Sequence, residues 1–217
     1  MLEGKNIFKK YGSIEVLKDI SLEIQPSEIV SIVGASGAGK STLLHILGTL
    51  DKADSGNVFL DKIELSRLDN KALAKVRNEN IGFIFQFHNL MAELTAKENI
   101  CLPAWVGKKN KKETEEKAEI LLKALKISHR AEHLPSEMSG GEQQRVAVAR
   151  ALINSPKYVF ADEPSGNLDT KNAEELHSLF FELRNNFGCS FVIVTHNTSL
   201  AERSDRTIEL IDGKIVS

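Results

Sequence analysis

Gly34-Ala35-Ser36-Gly37-Ala38-Gly39-Lys40-Ser41 is the stretch whose reading decides how this chain folds. It fits G-x-x-x-x-G-K-[ST] and stands between an apolar run, Glu28 to Val33, and a helical run, Ser41 to Leu47. Strand, glycine-rich loop and helix in that order make a unit of α/β type. The glycines let backbone N–H groups approach a phosphate, and a helix N-terminus favours an anion. Lys40 is expected to reach the β and γ phosphates of a nucleotide, the Ser41 hydroxyl to bind Mg²⁺, and Thr42 to complete the phosphate-binding set.

Outward from the loop, short strand-like runs alternate with turns. Leu2 to Tyr11 and Val16 to Ile24 precede it, and Asn57 to Leu60 and Ile81 to Phe85 follow, with a polar helix around Asn70 to Arg77. From Gln86 to Pro156 helical periodicity takes over, over Lys112 to Leu125 and Glu142 to Ile153, and reads as a helical insertion. Strand signals return at Tyr158 to Ala161 and Phe191 to Thr195 around a helix from Asn172 to Asn185. A hairpin-like end spans Arg206 to Val216. The expected organisation is one domain over 1–217, with a core from 1–85 and 157–217 and a helical subdomain at 86–156.

A chain of 217 residues suits one large domain with a modest insertion and leaves no room for a fused membrane half. Lys and Arg total 28 against 30 Asp and Glu, so charge gives no reason to expect nucleic acid as a direct partner. Apolar runs fall well short of the roughly 20 residues that span a bilayer. Any membrane link is therefore expected to run through a partner. Met1 to Lys10 lacks the apolar region of a secretory signal, which points to the cytoplasm. Cys101 and Cys189 have no ligand spacing and read as small buried thiols. The lysine-rich run Lys108 to Lys117 is balanced by Glu113, Glu115 and Glu116 and reads as a solvated helix start.

Tyr158-Val159-Phe160-Ala161-Asp162-Glu163 reads as an apolar strand ending in two carboxylates that point opposite ways and divide two tasks. Asp162 is expected to hold Mg²⁺, and Glu163 to polarise the water that attacks the γ phosphate. Ser139-Gly140-Gly141-Glu142 opens a helix and forms a second anion-ready N-terminus, without a lysine of its own. That arrangement suggests a site closing over nucleotide held by another copy.

In the order phosphate loop, Gln86, Ser139-Gly140-Gly141, Asp162-Glu163, Ser165-Gly166-Asn167-Leu168-Asp169 and His196, the chain resembles the ATP-binding subunits of ABC transporters over essentially its whole length. The resemblance implies a P-loop ATPase fold, with an N-terminal antiparallel β subdomain and a helical insertion. It implies ATP and Mg²⁺ as ligands, a homodimer, and separate integral membrane permease subunits. By the same resemblance Tyr11 stacks on adenine and Gln86 touches Mg²⁺ and the attacking water. Ser139, Gly140, Gly141 and Glu142 bind the γ phosphate across the dimer, Asp169 organises the opposite site, and His196 contacts the γ phosphate. Taken singly, Tyr11 also reads as a core aromatic, Gln86 as a strand-end cap and His196 as a satisfied histidine.

Two positions depart from the commonest family pattern: Glu142 stands where Gln is usual, and Gly166-Asn167 occupies the loop after Glu163-Pro164. Both resemble the branch serving lipoprotein release, macrolide efflux and cell division. Gln86-Phe87-His88-Asn89-Leu90 with Leu94 to Ile100 resembles its lipoprotein-releasing (Lol) ATPases most, although Met91-Ala92 stands where Leu-Pro is usual. The implied location is the cytoplasmic face of the bacterial inner membrane, with Phe87 to Leu94 as the permease-docking segment. A DNA-repair or chromosome ATPase would separate the two phosphate motifs by long coiled coils, whereas Lys40 and Ser139 are 99 positions apart.

Overall fold

A computed structural model describes residues 1–216; Ser217 lies outside the described residues. β1 (Leu2–Tyr11) and β2 (Ile14–Ile24) pair antiparallel, the chain reversing at Gly12, whose φ of 59° suits glycine. With β4 (Ser55–Leu60) and β5 (Ile63–Glu64) they form a sheet in the order β2-β1-β4-β5. Leu17, Ile20, Leu22 and Ile24 of β2 are buried, so this sheet turns one face inward.

A second sheet runs β10-β9-β3-β8-β7-β6. In it β3 (Ile29–Val33), β6 (Ile81–Phe85), β7 (Tyr158–Asp162), β8 (Ser190–Val194) and β9 (Arg206–Ile211) are parallel, and β10 (Lys214–Ile215) closes the edge antiparallel. Its central strands are near-continuous apolar runs because both faces are covered. Alternate residues serve different cores. Val159, Ala161, Phe191 and Ile193 pack with the helical side of the molecule, and Tyr158, Phe160, Val192 and Val194 pack towards the antiparallel sheet.

The helices are α1 (Lys40–Leu47), α2 (Asn70–Asn80), α3 (Ala96–Val106), α4 (Lys111–Ala124), α5 (Gly140–Leu152), α6 (Thr170–Phe187) and α7 (Thr198–Arg203). Helices α3, α4 and α5 fall between β6 and β7 and share one apolar core through Ile100, Leu121, Leu122, Val146 and Val148. The resemblance-based fold is borne out: a P-loop core with an antiparallel sheet and a helical insertion.

Three elements escape the periodicity reading: α3, α7 and β5. Pro103 inside α3 signals a helix end, yet a capping box of Thr95 and Glu98 starts the helix firmly, and Ile100, Cys101 and Ala104 bury one face of it. Cys101 and Cys189 are free and buried, and burial pushes both thiols up to about 11, which leaves them unreactive. Among the described residues no helix is long and apolar enough to cross a membrane.

Candidate active site

The site grows from the carboxyl ends of β3, β7, β8 and β6, the edge at which open α/β sheets hold ligands. β3 ends at Val33 and the loop Gly34 to Gly39 leads into α1. Gly39 caps α1 with φ 101°, and a Cβ there would lie 2.8 Å from the Val16 carbonyl oxygen. Only glycine meets both demands. Lys40 is nearly buried, and its Nζ donates to the carbonyls of Gly34 and Ala35 at 2.9 Å each, so its charge lies across the mouth of the loop.

From β7, Asp162 meets this loop: the Ser41 Oγ donates to Asp162 Oδ1 at 2.9 Å. A hydroxyl and a carboxylate are hard oxygen donors, and a small set of protein oxygens completed by phosphate is what Mg²⁺ takes. The residues fit that ion.

The expectation that Asp162 and Glu163 diverge through the pleat of one strand is corrected here. β7 ends at Asp162, and Glu163 sits in the left-handed region with φ 47°. Its backbone N–H is fixed to the Val194 carbonyl at 3.0 Å, and its own carbonyl accepts from Gly166 at 3.0 Å. A turn, not pleating, sends the two carboxylates different ways, at a backbone cost of roughly 1–2 kcal/mol. Strain of this kind gathers at functional sites.

Glu163 then meets the end of β8. His196 Nε2 lies 3.0 Å from Glu163 Oε1, and the His196 backbone N–H donates to Oε2 at 3.3 Å. Burial pushes the Glu163 carboxyl above the usual carboxylate range, with His196 and Lys40 pulling the other way. A carboxylate of raised basicity beside a phosphate loop has the chemistry to draw a proton from water.

A family model described as ABC transporter matches residues 17–166. The chain belongs to the ABC transporter family. A lipoprotein-releasing system ATP-binding protein LolD of Cytophaga hutchinsonii is 59% identical over 216 residues, covering 100% of this chain and 99% of the relative. Its namesake in Bacteroides thetaiotaomicron is 54% identical and covers 99% of each. Among solved structures, the dimeric ATP-binding cassette MJ0796 in a post-hydrolysis state, bound to ADP and Pi, superposes with a TM-score of 0.90. It is 41% identical and covers 100% of this chain and 97% of that one.

The remaining residues of this ABC ATPase divide into those beside the nucleotide loop and those apart from it. Gln86 directly follows β6, whose last residue, Phe85, is paired with Asp162. Tyr11 is 48% exposed, which removes the core-aromatic reading; its hydroxyl donates to Asp51 Oδ2 at 2.6 Å, and Lys9 Nζ lies 5.1 Å from its ring.

Ser139, Gly140 and Gly141 start α5 on the helical insertion. Glu142 turns back as the third residue of a capping box: its Oε2 accepts from the Ser139 N–H at 2.8 Å and hydroxyl at 3.0 Å, while Oε1 accepts from Arg130 Nε at 2.7 Å. Burial opposes ionisation, yet Arg130 and Ser139 hold its carboxyl down at about 2. Asp169 caps α6, accepting from the Asn172 N–H at 3.0 Å, and Gly141 lies against Asn172.

Residues that the motifs do not flag support these. Gln144, fully buried on α5, donates to the Pro164 carbonyl at 2.7 Å and the Phe85 carbonyl at 3.5 Å. Arg150 donates to the carbonyls of His88 and Asn89. His177 Nε2 lies 2.9 Å from Ser165 Oγ under the loop after Glu163. The signal for each was only a polar residue on an otherwise apolar helix face, which alone names no partner.

Proposed function

We propose that this chain is the ATP-hydrolysing subunit of a transporter that releases lipoproteins from the bacterial inner membrane, acting as a homodimer that drives separate integral membrane subunits. The observation that carries the catalytic part is the junction of Glu163 with His196 beside the Ser41 and Asp162 pair. The lipoprotein part rests on the full-length similarity to LolD proteins.

In this reading Gly34 to Thr42 wrap the phosphates and Tyr11 stacks on the adenine. Lys40 leaves the carbonyls of Gly34 and Ala35 for the β and γ phosphates. Ser41, Asp162 and Gln86 would hold Mg²⁺, which supplies neutralising charge to the phosphate oxygens. Glu163 takes a proton from the attacking water while His196 keeps the carboxylate in place and reaches towards the γ phosphate. Ser139, Gly140 and Gly141 present an exposed helix N-terminus to the γ phosphate held by the second copy, with Glu142 fixing the Ser139 rotamer, and Asp169 steadies the same face.

The membrane subunits would dock on a groove of about 450 Å³ between α2, α3 and the end of β6, lined by Leu50, Phe83, Phe85, Pro103 and Val106. This would place the chain on the cytoplasmic face of the membrane without inserting in it. The test is purification from membranes of a native host followed by reconstitution of the complex in vesicles. The expected result is ATP-dependent release of a lipoprotein from the vesicles; a complex that moves only macrolides or peptides, or that remodels the division site, would refute the lipoprotein reading.

A further inference from the structure

Two loops carry the groups assigned to the hydrolytic step, and they are joined through Asn167 and Gln144, side chains that this assignment does not use. Asn167, in the loop between β7 and α6, donates from Nδ2 to the main-chain carbonyl of Gln86 at 3.1 Å. Gln86 Nε2 in turn donates to Asn167 Oδ1 at 3.2 Å. A main-chain carbonyl can only accept, so the first bond fixes which end of the Asn167 amide faces it, and the second follows. The adjacent Gly166 leaves the room: a Cβ there would stand 2.9 Å from Gln86 Nε2. On the inner side, Gln144 joins the same two loops through the carbonyls of Phe85, one residue before Gln86, and Pro164, three residues before Asn167.

We propose that Asn167 is a positioning residue for Gln86, clamping it so that the segment after β6 and the loop after Glu163 move as one unit before nucleotide arrives. The proposal rests on the role given to Gln86 above. The clamp uses the Nε2 end of the Gln86 amide and leaves Oε1, the end suited to a hard cation or a water hydrogen. Gly166 and Asn167 act together: the glycine makes the niche and the asparagine closes it. A displacement of Phe87 to Leu94 is thereby passed to the Glu163 loop by hydrogen bonds within one chain.

The test compares the full-length parent with Asn167→Ala, Asn167→Asp and Gly166→Ala. Hydrogen exchange is followed in the nucleotide-free protein, and ATP hydrolysis separately. Asn167→Ala should speed amide exchange in residues 87–94 and 165–168 about threefold or more, with the melting temperature unchanged. Asn167→Asp, which keeps an acceptor for Gln86 Nε2 but loses the donor, should fall between. Gly166→Ala, which crowds the Gln86 amide while leaving Asn167, should loosen the same segment.

In hydrolysis, Asn167→Ala should lower kcat about three- to tenfold with KM for ATP unchanged, and should add nothing in a Gln86→Ala background. Unchanged exchange in both Asn167→Ala and Gly166→Ala, or additive losses of kcat, would overturn the clamp. Should Gln86→Ala hydrolyse ATP at the parent rate, it is the role of Gln86 that fails, and the exchange data still judge the clamp.

Discussion

Ser41 and Asp162 stand 121 residues apart in the chain, and their side chains meet at 2.9 Å across the carboxyl edge of the parallel sheet. The contact joins the start of α1 to the end of β7, so the phosphate loop and the carboxylate strand are in register before any ligand arrives. Asp162→Asn keeps the shape but halves the oxygen donors. It should weaken ATP binding about ten- to hundredfold in Mg²⁺ and leave binding in excess chelator almost unchanged. Titration calorimetry with and without Mg²⁺ makes the comparison, and equal losses under both conditions would show that Asp162 serves the loop alone.

The Glu163 carboxyl lies above its ordinary range chiefly because it is buried, and His196 opposes that rise. In the proposed role Glu163 accepts a proton, which it can do only when ionised. The acid limb of kcat/KM should therefore begin at higher pH than for an ordinary carboxylate, and His196→Ala should move it higher still. The linked stability runs in the same sense: a raised folded pKa favours the fold below the ordinary carboxylate value, and that contribution is lost as pH rises through the raised one. Glu163→Gln should accordingly be at least as stable as the parent at neutral pH, and should accumulate as a dimer with ATP in sedimentation. A monomeric Glu163→Gln chain turning over at the parent rate would remove Glu163 from the mechanism.

What was legible in the sequence follows from where the signal is local. Gly34 to Ser41 names its neighbours because glycine, lysine and hydroxyl are needed at fixed spacing. The strands from Ile29 and Tyr158 show themselves by near-continuous apolar runs. Helix α3 was hidden by Pro103, although Thr95 and Glu98 carried its capping signature. The turn at Glu163 could not be read, since a positive φ in a non-glycine residue is imposed by the bonds to Val194 and Gly166. Asn167 was visible as a departure from the family pattern, but its contact with Gln86 spans 81 residues and only folding creates it.

Tyr11 gives a prediction that the sequence would have put differently. Stacking alone needs only the ring, so phenylalanine would be expected to serve as well. The hydroxyl, however, is anchored to Asp51, which also receives Lys9 Nζ at 3.0 Å. Tyr11→Ala should raise the nucleotide dissociation constant by about 1–3 kcal/mol, as for loss of base stacking on an aromatic ring. Tyr11→Phe and Asp51→Ala should each cost about 0.5–1.5 kcal/mol by freeing the ring. Fluorescent-nucleotide titration distinguishes the three, and an unchanged constant in Tyr11→Ala would place the adenine elsewhere.

The segment Phe87 to Leu94 combines exposed apolar side chains with a backbone that is held firmly. Phe87 is 73% and Met91 49% exposed, while Leu90 packs against the core of the helical side. Arg150 binds the carbonyls of His88 and Asn89, and Asn99 binds Met91 through both its N–H and its carbonyl. Polar side chains spent on a loop's backbone, here the buried Asn99 and the half-buried Arg150, keep its exposed side chains in fixed positions, which lowers the entropy lost when another surface covers them. Phe87→Glu and Met91→Glu should therefore fold normally and keep basal hydrolysis, since neither side chain supports the core. Both should lose co-purification with the membrane subunits and the stimulation those subunits give, because a charge would be buried unpaired in the contact. Loss of the fold would mean that these side chains serve the core after all. Full binding by both variants would show that Phe87 to Leu94 is not the docking segment.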